Sequence, residues 1–398
     1  MKKTVSSVLH KSLAVLACGA MVAGLAGCGS STTDTSSEEV PTVTLWSSGG
    51  QEVGDALQAI ADEFNSDPEY SKHAKMEIQF ITSGTNEQSL TDRLVAAYEA
   101  GETDTDFDIV AYDDTYISTI IAQTSDDFFE TIDTSKLENY DNLIYTENVV
   151  GDTFIPYRAT NIMLAYNSDN VKDVPETADE LYQWIHDNPG KFTYCDPTTG
   201  GSGLSFLLTS IYNQLPEEAA TSSDEKWEAE HQTEWDNAIN LLKELHPDLY
   251  QTSGSVQYPV KNQGSLDLLA NGQIDMTPAF VNMVLSQKNM GTLPDSIEMT
   301  QIDPAFGGAL AGLLIPSIAK DKEAAYYVID YMLSYEAQAI DWNQMYASPV
   351  VDSSKLEGID HPEWLEATEA DSLRYFSVGT LQVDAQTRWT EEVGILAQ

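Results

Sequence analysis

The sequence predicts an α/β protein folded as two lobes, and three observations carry that prediction. From Pro41 to about Thr115, apolar residues recur first with period two and then at helical spacing, three times over. That β-α-β-α-β-α order favours a parallel sheet. Next comes GDTFIPYRATNIMLAYN, Gly151 to Asn167, a β-rich apolar stretch broken at Pro156-Tyr157-Arg158. Proline cannot donate a ladder hydrogen bond in a central strand, so the stretch reads as two short strands carrying the chain from one lobe to the other. A third run, Ile274 to Phe280, is interrupted by Pro278 and reads as the return crossing. With 398 residues, one core is less expected than two. The first lobe is predicted to combine 42–158 with about 279–316, and the second 159–278 with about 317–398.

The elements follow in order. Val43 and Leu45 alternate with Thr44 and Trp46 in a first strand, which ends in the loop Ser47-Ser48-Gly49-Gly50. Val53, Leu57, Ile60 and Phe64 share one helical face from about Glu52 to Asn65. Met76, Ile78 and Phe80 alternate with Glu77 and Gln79 in a second strand. Leu90, Leu94 and Tyr98 mark a helix that stops at Gly101, and Asp108 to Tyr112 form a third strand ending at Asp113-Asp114. Beyond the crossing, Thr177-Ala178-Asp179-Glu180 is a capping box, and Pro189-Gly190 ends its helix. Lys191 to Tyr194 reads as a strand leading through Gly200-Gly201-Ser202-Gly203 into a helix near Leu204. Helices are expected at about Glu230 to Leu245, Gly264 to Ala270 and Lys322 to Leu333, and a strand at Gly307 to Ser317.

The N-terminus reads as a targeting segment. Lys2, Lys3 and Lys11 precede the apolar run Leu13 to Ala26, which is short for a membrane span. Leu25-Ala26-Gly27-Cys28 then has the lipobox pattern, in which the Cys28 thiol accepts a diacylglycerol; Val15-Leu16-Ala17-Cys18 is a weaker rival. Residues 1–27 are thus expected to be removed, and the Ser/Thr-rich stretch 28–41 to act as a tether. Cys195 would be the only remaining thiol besides Cys28, so no internal disulfide is expected. The net charge of −45 repels nucleic acid and anionic headgroups, and fits a role in solubility.

Most chemistry is excluded by absence of pattern. The six histidines lack metal-ligand spacing, and there is no C-x-x-C, no Walker loop, no G-x-G-x-x-G and no G-x-S-x-G. Among 64 acidic residues no glycosidase pair stands out. No metal, no cofactor and no catalytic residue is therefore expected. Candidate ligand residues lie where open α/β sheets bind, at the carboxyl ends of strands. They are Trp46, Ser47 and Ser48; Asp113 and Asp114; Tyr157 and Arg158 at the crossing; Ser202 and Gly203 before a helix; and Phe280 on the return run. Trp46 could equally be core, Asp113 or Asp114 a helix cap, Arg158 the partner of an acid, and the glycine loop a simple turn. Asp113 suits a cation and Arg158 a carboxylate or phosphate, which it can grip bidentately. The Asp pair at a strand end tips the expectation towards a cationic or zwitterionic ligand.

At these residues the chain resembles the lipid-anchored extracellular solute-binding proteins of bacterial ABC importers, in the family 1 group and its thiamine- and polyamine-type branch. The resemblance rests on VTLWSSGG, IPYRATNIMLAYNSDNV, VPETADELYQWIHDNPGKFTYCDPTTGGSG, LDLLANGQIDMTPAF and DYMLSYEAQ, in that order. It fades beyond about Asp352, and neither Arg158 nor Asp113-Asp114 is a general family feature. It implies a type II periplasmic-binding-protein-like fold, with a solute clamped between two lobes and passed to permease subunits. The expected protein is a monomer on the extracytoplasmic face of the cell membrane. It binds a sugar, polyamine, thiamine-like compound or organic anion, and is not an enzyme. The rival readings are a lipid-anchored glycan hydrolase and a sensor or adhesin without a permease.

Overall fold

Two β-sheets organise the chain. The computed structural model describes residues 40–82, 87–113, 116–145, 151–216, 230–359, 374 and 381–397. Strand β1 (Thr42–Gly49), helix α1 (Gln51–Ser66), β2 (Lys75–Thr82), α2 (Leu90–Glu99), β3 (Ile109–Asp113) and α3 (Ile117–Gln123) follow the predicted alternation. Strands β4 (Ile155–Thr160) and β5 (Ile162–Asn167) come next. Helices α4 (Ala178–Asp187), α5 (Gly201–Tyr212) and α6 (Gln232–Leu245) follow, then the short hairpin β6 (Gln251–Thr252) and β7 (Ser255–Val256). After it come α7 (Lys261–Ala270), β8 (Met276–Phe280), α8 (Val281–Asn289), β9 (Ile297–Thr300) and β10 (Ala309–Leu314). The chain closes with α9 (Lys322–Met332), α10 (Tyr335–Met345) and α11 (Leu381–Glu392).

The first sheet has the order β2-β1-β3-β10-β4. Strand β1 lies parallel to β2 and β3, while β10 is antiparallel to both β3 and β4. Its core takes Val43 and Leu45 from β1 and the apolar face of α1, including Leu57, Ile60 and Phe64. It also takes Val328 and Ile329 from α9 and Ala337 from α10. Asp108 ties these parts together: its buried carboxylate accepts from Thr44 N at 2.9 Å and from Asp321 N at 3.0 Å, just ahead of α9.

The second sheet has the order β8-β5-β9, antiparallel throughout. Alternate residues of β5 serve two cores. Ile162 and Leu164 join one with α4, α5, α6 and α11, while Met163 and Ala165 join another with α7, α8 and Trp342. A strand covered on both faces needs an unbroken apolar run, which is what Ile162-Met163-Leu164-Ala165 supplies.

The first crossing is corrected by a few residues. Pro156, Tyr157 and Arg158 lie within β4, and the chain changes sheet at Asn161 alone. Proline is tolerated because β4 is an edge strand, and the β10–β4 register shifts between Ala311 and Gly312 beside it. Gly312 admits the Phe154 ring, whose nearest atom would lie 2.3 Å from an added Cβ.

The return crossing is displaced further. Pro278 lies in β8, an edge strand of the second sheet, so the chain does not leave that sheet there; it leaves after β9 and reaches the first sheet at β10. The expected division also fails for α9, whose apolar face lies in the first core, and for α10, which puts Ala337 and Met345 in the first core and Trp342 against the second sheet. Helix α11 does pack in the second core, through Ala385 and Trp389, and Trp389 Nε1 donates to Tyr194 Oη at 3.0 Å. The predicted strand Lys191–Tyr194 reduces to one bridge between Phe192 and Met276.

Candidate functional site

A cavity of about 310 Å³ opens at the carboxyl ends of β1 and β3. The tail of β1 contributes Ser47, Ser48 and Gly49, and the start of α2 contributes Ser89 and Thr91. The end of β3 adds Tyr112 and Asp113, with Tyr116 just beyond, and Arg158 reaches in from β4. Parallel strands put their carboxyl ends, and the helix starts that follow, on one rim, so residues distant in sequence converge there.

Several of these groups are held by local bonds. Ser47 Oγ donates to Ala111 O at 3.2 Å, pinning β1 to β3. Ser89 is the N-cap of α2 and accepts from Asp92 N at 3.1 Å. The Thr91 and Tyr112 hydroxyls share a hydrogen bond of 2.9 Å, and burial pushes the Tyr112 phenol well above its ordinary pKa.

Arg158 is the central charge. Its Nε donates to Tyr157 Oη at 3.0 Å and its Nη1 to Thr160 Oγ1 at 3.3 Å. Its Nη2 lies 3.5 Å from Asp113 Oδ1, an ion pair that is not a hydrogen bond. Asp113 Oδ1 is shielded from solvent and has no hydrogen-bond partner among the described residues. A second carboxylate, Asp341 of α10, is 3 % exposed and also has an unpartnered oxygen, Oδ2. Burial pushes Asp341 up to about 6, against the pull of Arg158. Burial opposes the charge of Arg158, but Tyr157, Asp113 and Asp341 outweigh it and hold the guanidinium above its ordinary pKa.

The structure brings together four of the sequence candidates, Ser47, Ser48, Asp113 and Arg158. Cys28 and Asp114 lie outside the described residues. Trp46 is core: its ring packs on Phe107 at 4.9 Å, Arg93 sits 5.6 Å from its centroid, and its Nε1 donates to Asp106 O. Tyr157 is 2 % exposed, so neither ring offers the free stacking face expected of it. The expectation for Ser202 and Gly203 also needs correction, because the donors at the start of α5 are taken internally. Asn262 Oδ1 accepts from Ser202 N at 3.0 Å and from Ser202 Oγ at 3.2 Å, while Cys195 Sγ accepts from Gly203 N at 3.2 Å. Phe280 is half-buried, its ring against Gly201.

Sequence reasoning missed Ser89, Thr91, Tyr112, Tyr116 and Asp341. Ser89-Leu90-Thr91-Asp92 fits a helix-start pattern and could have located the first two. Nothing near Asp341 in the sequence points to Arg158.

Among the described residues no group of three or more histidine, cysteine or acidic side chains is arranged to hold a metal, and no helix is long and apolar enough to cross a membrane. No curated protein matches the chain. Solved structures do. The spermidine/putrescine substrate-binding protein PotD of Streptococcus pneumoniae aligns with a TM-score of 0.62 at 13 % identity, covering 90 % of this chain and 100 % of its own. A Bordetella ferric binding protein aligns at 0.62 and 13 %, covering 89 % and 99 %. A periplasmic thiamin binding protein aligns at 0.55 and 16 %, covering 93 % and 99 %. At such identities the likeness establishes the two-lobed binding-protein fold alone. The family model for bacterial extracellular solute-binding proteins matches residues 59–370, well over half of the chain. The chain therefore belongs to the family of bacterial extracellular solute-binding proteins.

Proposed function

We propose that this solute-binding protein is held by a lipid on Cys28 at the extracytoplasmic face of the membrane. It takes a small solute in the cavity between β1, α2, β3 and Arg158 and passes it unchanged to ABC permease subunits. The observation that carries this reading is the cavity itself, where the Arg158 guanidinium of β4 stands 3.5 Å from an oxygen of Asp113, at the end of β3, that has no hydrogen-bond partner among the described residues. Two lobes built on the two sheets would close on the solute, since contacts made only in the closed form shift the balance towards it. The division we propose is 42–160 with 309–345 for one lobe, and 162–300 with the α11 segment for the other.

A thermal-shift screen over sugars, polyamines, thiamine and organic acids tests the capture. A ligand at about 100 times its Kd should stabilise the fold by about 2.7 kcal/mol, and it should be recovered chemically intact. Recovery of a cleaved product would make the protein a hydrolase instead. Replacing Cys28 by Ser should release the protein into the medium, and retention on the membrane would overturn the anchor.

A further inference from the structure

We propose that the solute is a small uncharged polyhydroxy compound, a sugar or polyol, one hydroxyl of which bridges Asp113 Oδ1 and Arg158 Nη2. The inference rests on the cavity being the solute site.

The pair defines the chemistry. Asp113 Oδ1 is an acceptor that no described donor satisfies; it is closed to solvent here, so the Asp113 side chain, itself 40 % exposed, turns to present it to the solute. Arg158 Nη2 is 3.5 Å away and, among the described residues, makes no hydrogen bond, while Nε and Nη1 of the same guanidinium are engaged by Tyr157 and Thr160. A group placed against both must donate to the first and accept from the second. A hydroxyl does both at once. A carboxylate or phosphate only accepts, so it gains Arg158 and meets Asp113 as a like charge. An ammonium only donates, so it gains Asp113 and meets Arg158.

Three further features fit this class. The described lining carries one negative and one positive side chain, so it offers no net charge for an ion to neutralise. Hydroxyls of Ser48, Ser89, Thr91 and Tyr112 line the same cavity; Ser89 already accepts from Asp92 N and the Thr91 and Tyr112 hydroxyls bond each other, but each keeps capacity for a further bond. Tyr116, at 53 % exposure, presents a ring at the rim against which the apolar C–H face of a sugar can lie. The volume of about 310 Å³ equals that of about ten liquid waters, room for one monosaccharide and a few bridging waters.

Calorimetric titration of the full chain tests the proposal, with ribose, glucose and xylitol as neutral probes and spermidine and citrate as charged ones. At least one neutral probe is expected to bind, with a Kd that changes less than about twofold between low and high salt. Asp113→Asn and Arg158→Ala should each weaken it by at least about tenfold, the loss expected when a buried polar group is left unpaired. Asp113→Asn keeps the shape of the side chain and carries the test where Arg158→Ala fails to fold. Binding of spermidine or citrate with no binding of neutral probes overturns the solute class; if the two variants abolish that binding, the cavity stands as the site. Binding of a neutral probe that neither variant weakens overturns the cavity reading itself. Silence of all neutral probes at millimolar concentration overturns the proposal.

Discussion

Two strand-to-helix loops in this protein looked alike as ligand sites and have opposite fates. The start of α5, at Gly200 to Gly203, has the glycines and the dipole that suit an anion, yet its donors are consumed by Asn262 and Cys195. Among the described residues, the rim at the ends of β1 and β3 has no such filler. There an acceptor of Asp113 stays unpaired beside a guanidinium with donor capacity to spare. A binding loop is thus recognised by what the fold leaves unsatisfied. The residue types in the loop do not decide it.

The sharpest way to break the comparison is Gly203→Ala. An added Cβ would stand 1.8 Å from Cys195 O, a rigid backbone atom. We expect about 3 kcal/mol of destabilisation, seen as a lowered denaturant midpoint. An unchanged midpoint would mean that the α5 loop is open enough to take a ligand after all.

Next in size is the pH response of Asp341. Its folded pKa of about 6 lies above the ordinary aspartate value near 4, so the fold binds this proton more tightly than the unfolded chain does. The stability it contributes is therefore fully present below about pH 4 and is lost as pH rises through 6, about 3 kcal/mol at most. The overall negative charge acts with the same sign, so the control is Asp341→Asn. Melting temperatures at several pH values should show that the variant is the more stable form relative to wild type at pH 7, and that this gap closes towards pH 4. A gap that does not vary with pH would mean that the burial penalty on Asp341 is offset in full, as by a stronger pull from Arg158.

The smallest effect expected is that of Asn262→Ala. Removing Oδ1 strands Ser202 N and Oγ, costing about 1–3 kcal/mol, while affinity for the solute stays as it was. A tenfold loss of affinity would bring the α5 loop back as part of the site.

Much of the fold was legible because its signals are local. Period two marked β1 and β2, helical spacing marked α1, and the Thr177 capping box marked α4, where Glu180 N does donate to Thr177 Oγ1 at 3.2 Å. Sheet membership was less legible. Pro156 and Pro278 looked alike as breaks, and each proved to be an edge-strand residue, a fact that depends on which strands assemble around it. The site divides the same way. Ser47, Ser48 and Asp113 followed from strand ends, a rule that can be applied along the chain, and Arg158 from the expected crossing. That Asn262 fills the α5 loop from 60 residues away, and that Trp46 is walled in by Phe107 and Arg93, depends on three-dimensional packing.

The two edge prolines bear on how the edges of the sheets are closed. An edge strand shows neighbouring molecules a row of unpaired amides, a template on which another chain can add by backbone pairing. Pro156 on β4 and Pro278 on β8 each delete one amide from such a row, and Ala159 N on β4 is already taken by Ser348 O at 2.8 Å. Both prolines are buried, and the edges they sit on are covered by Ser348 and Phe192. Replacing either by valine would put an N–H donor back at a buried edge, where an unmet donor costs about 1–3 kcal/mol; each proline removes a donor that burial would otherwise strand.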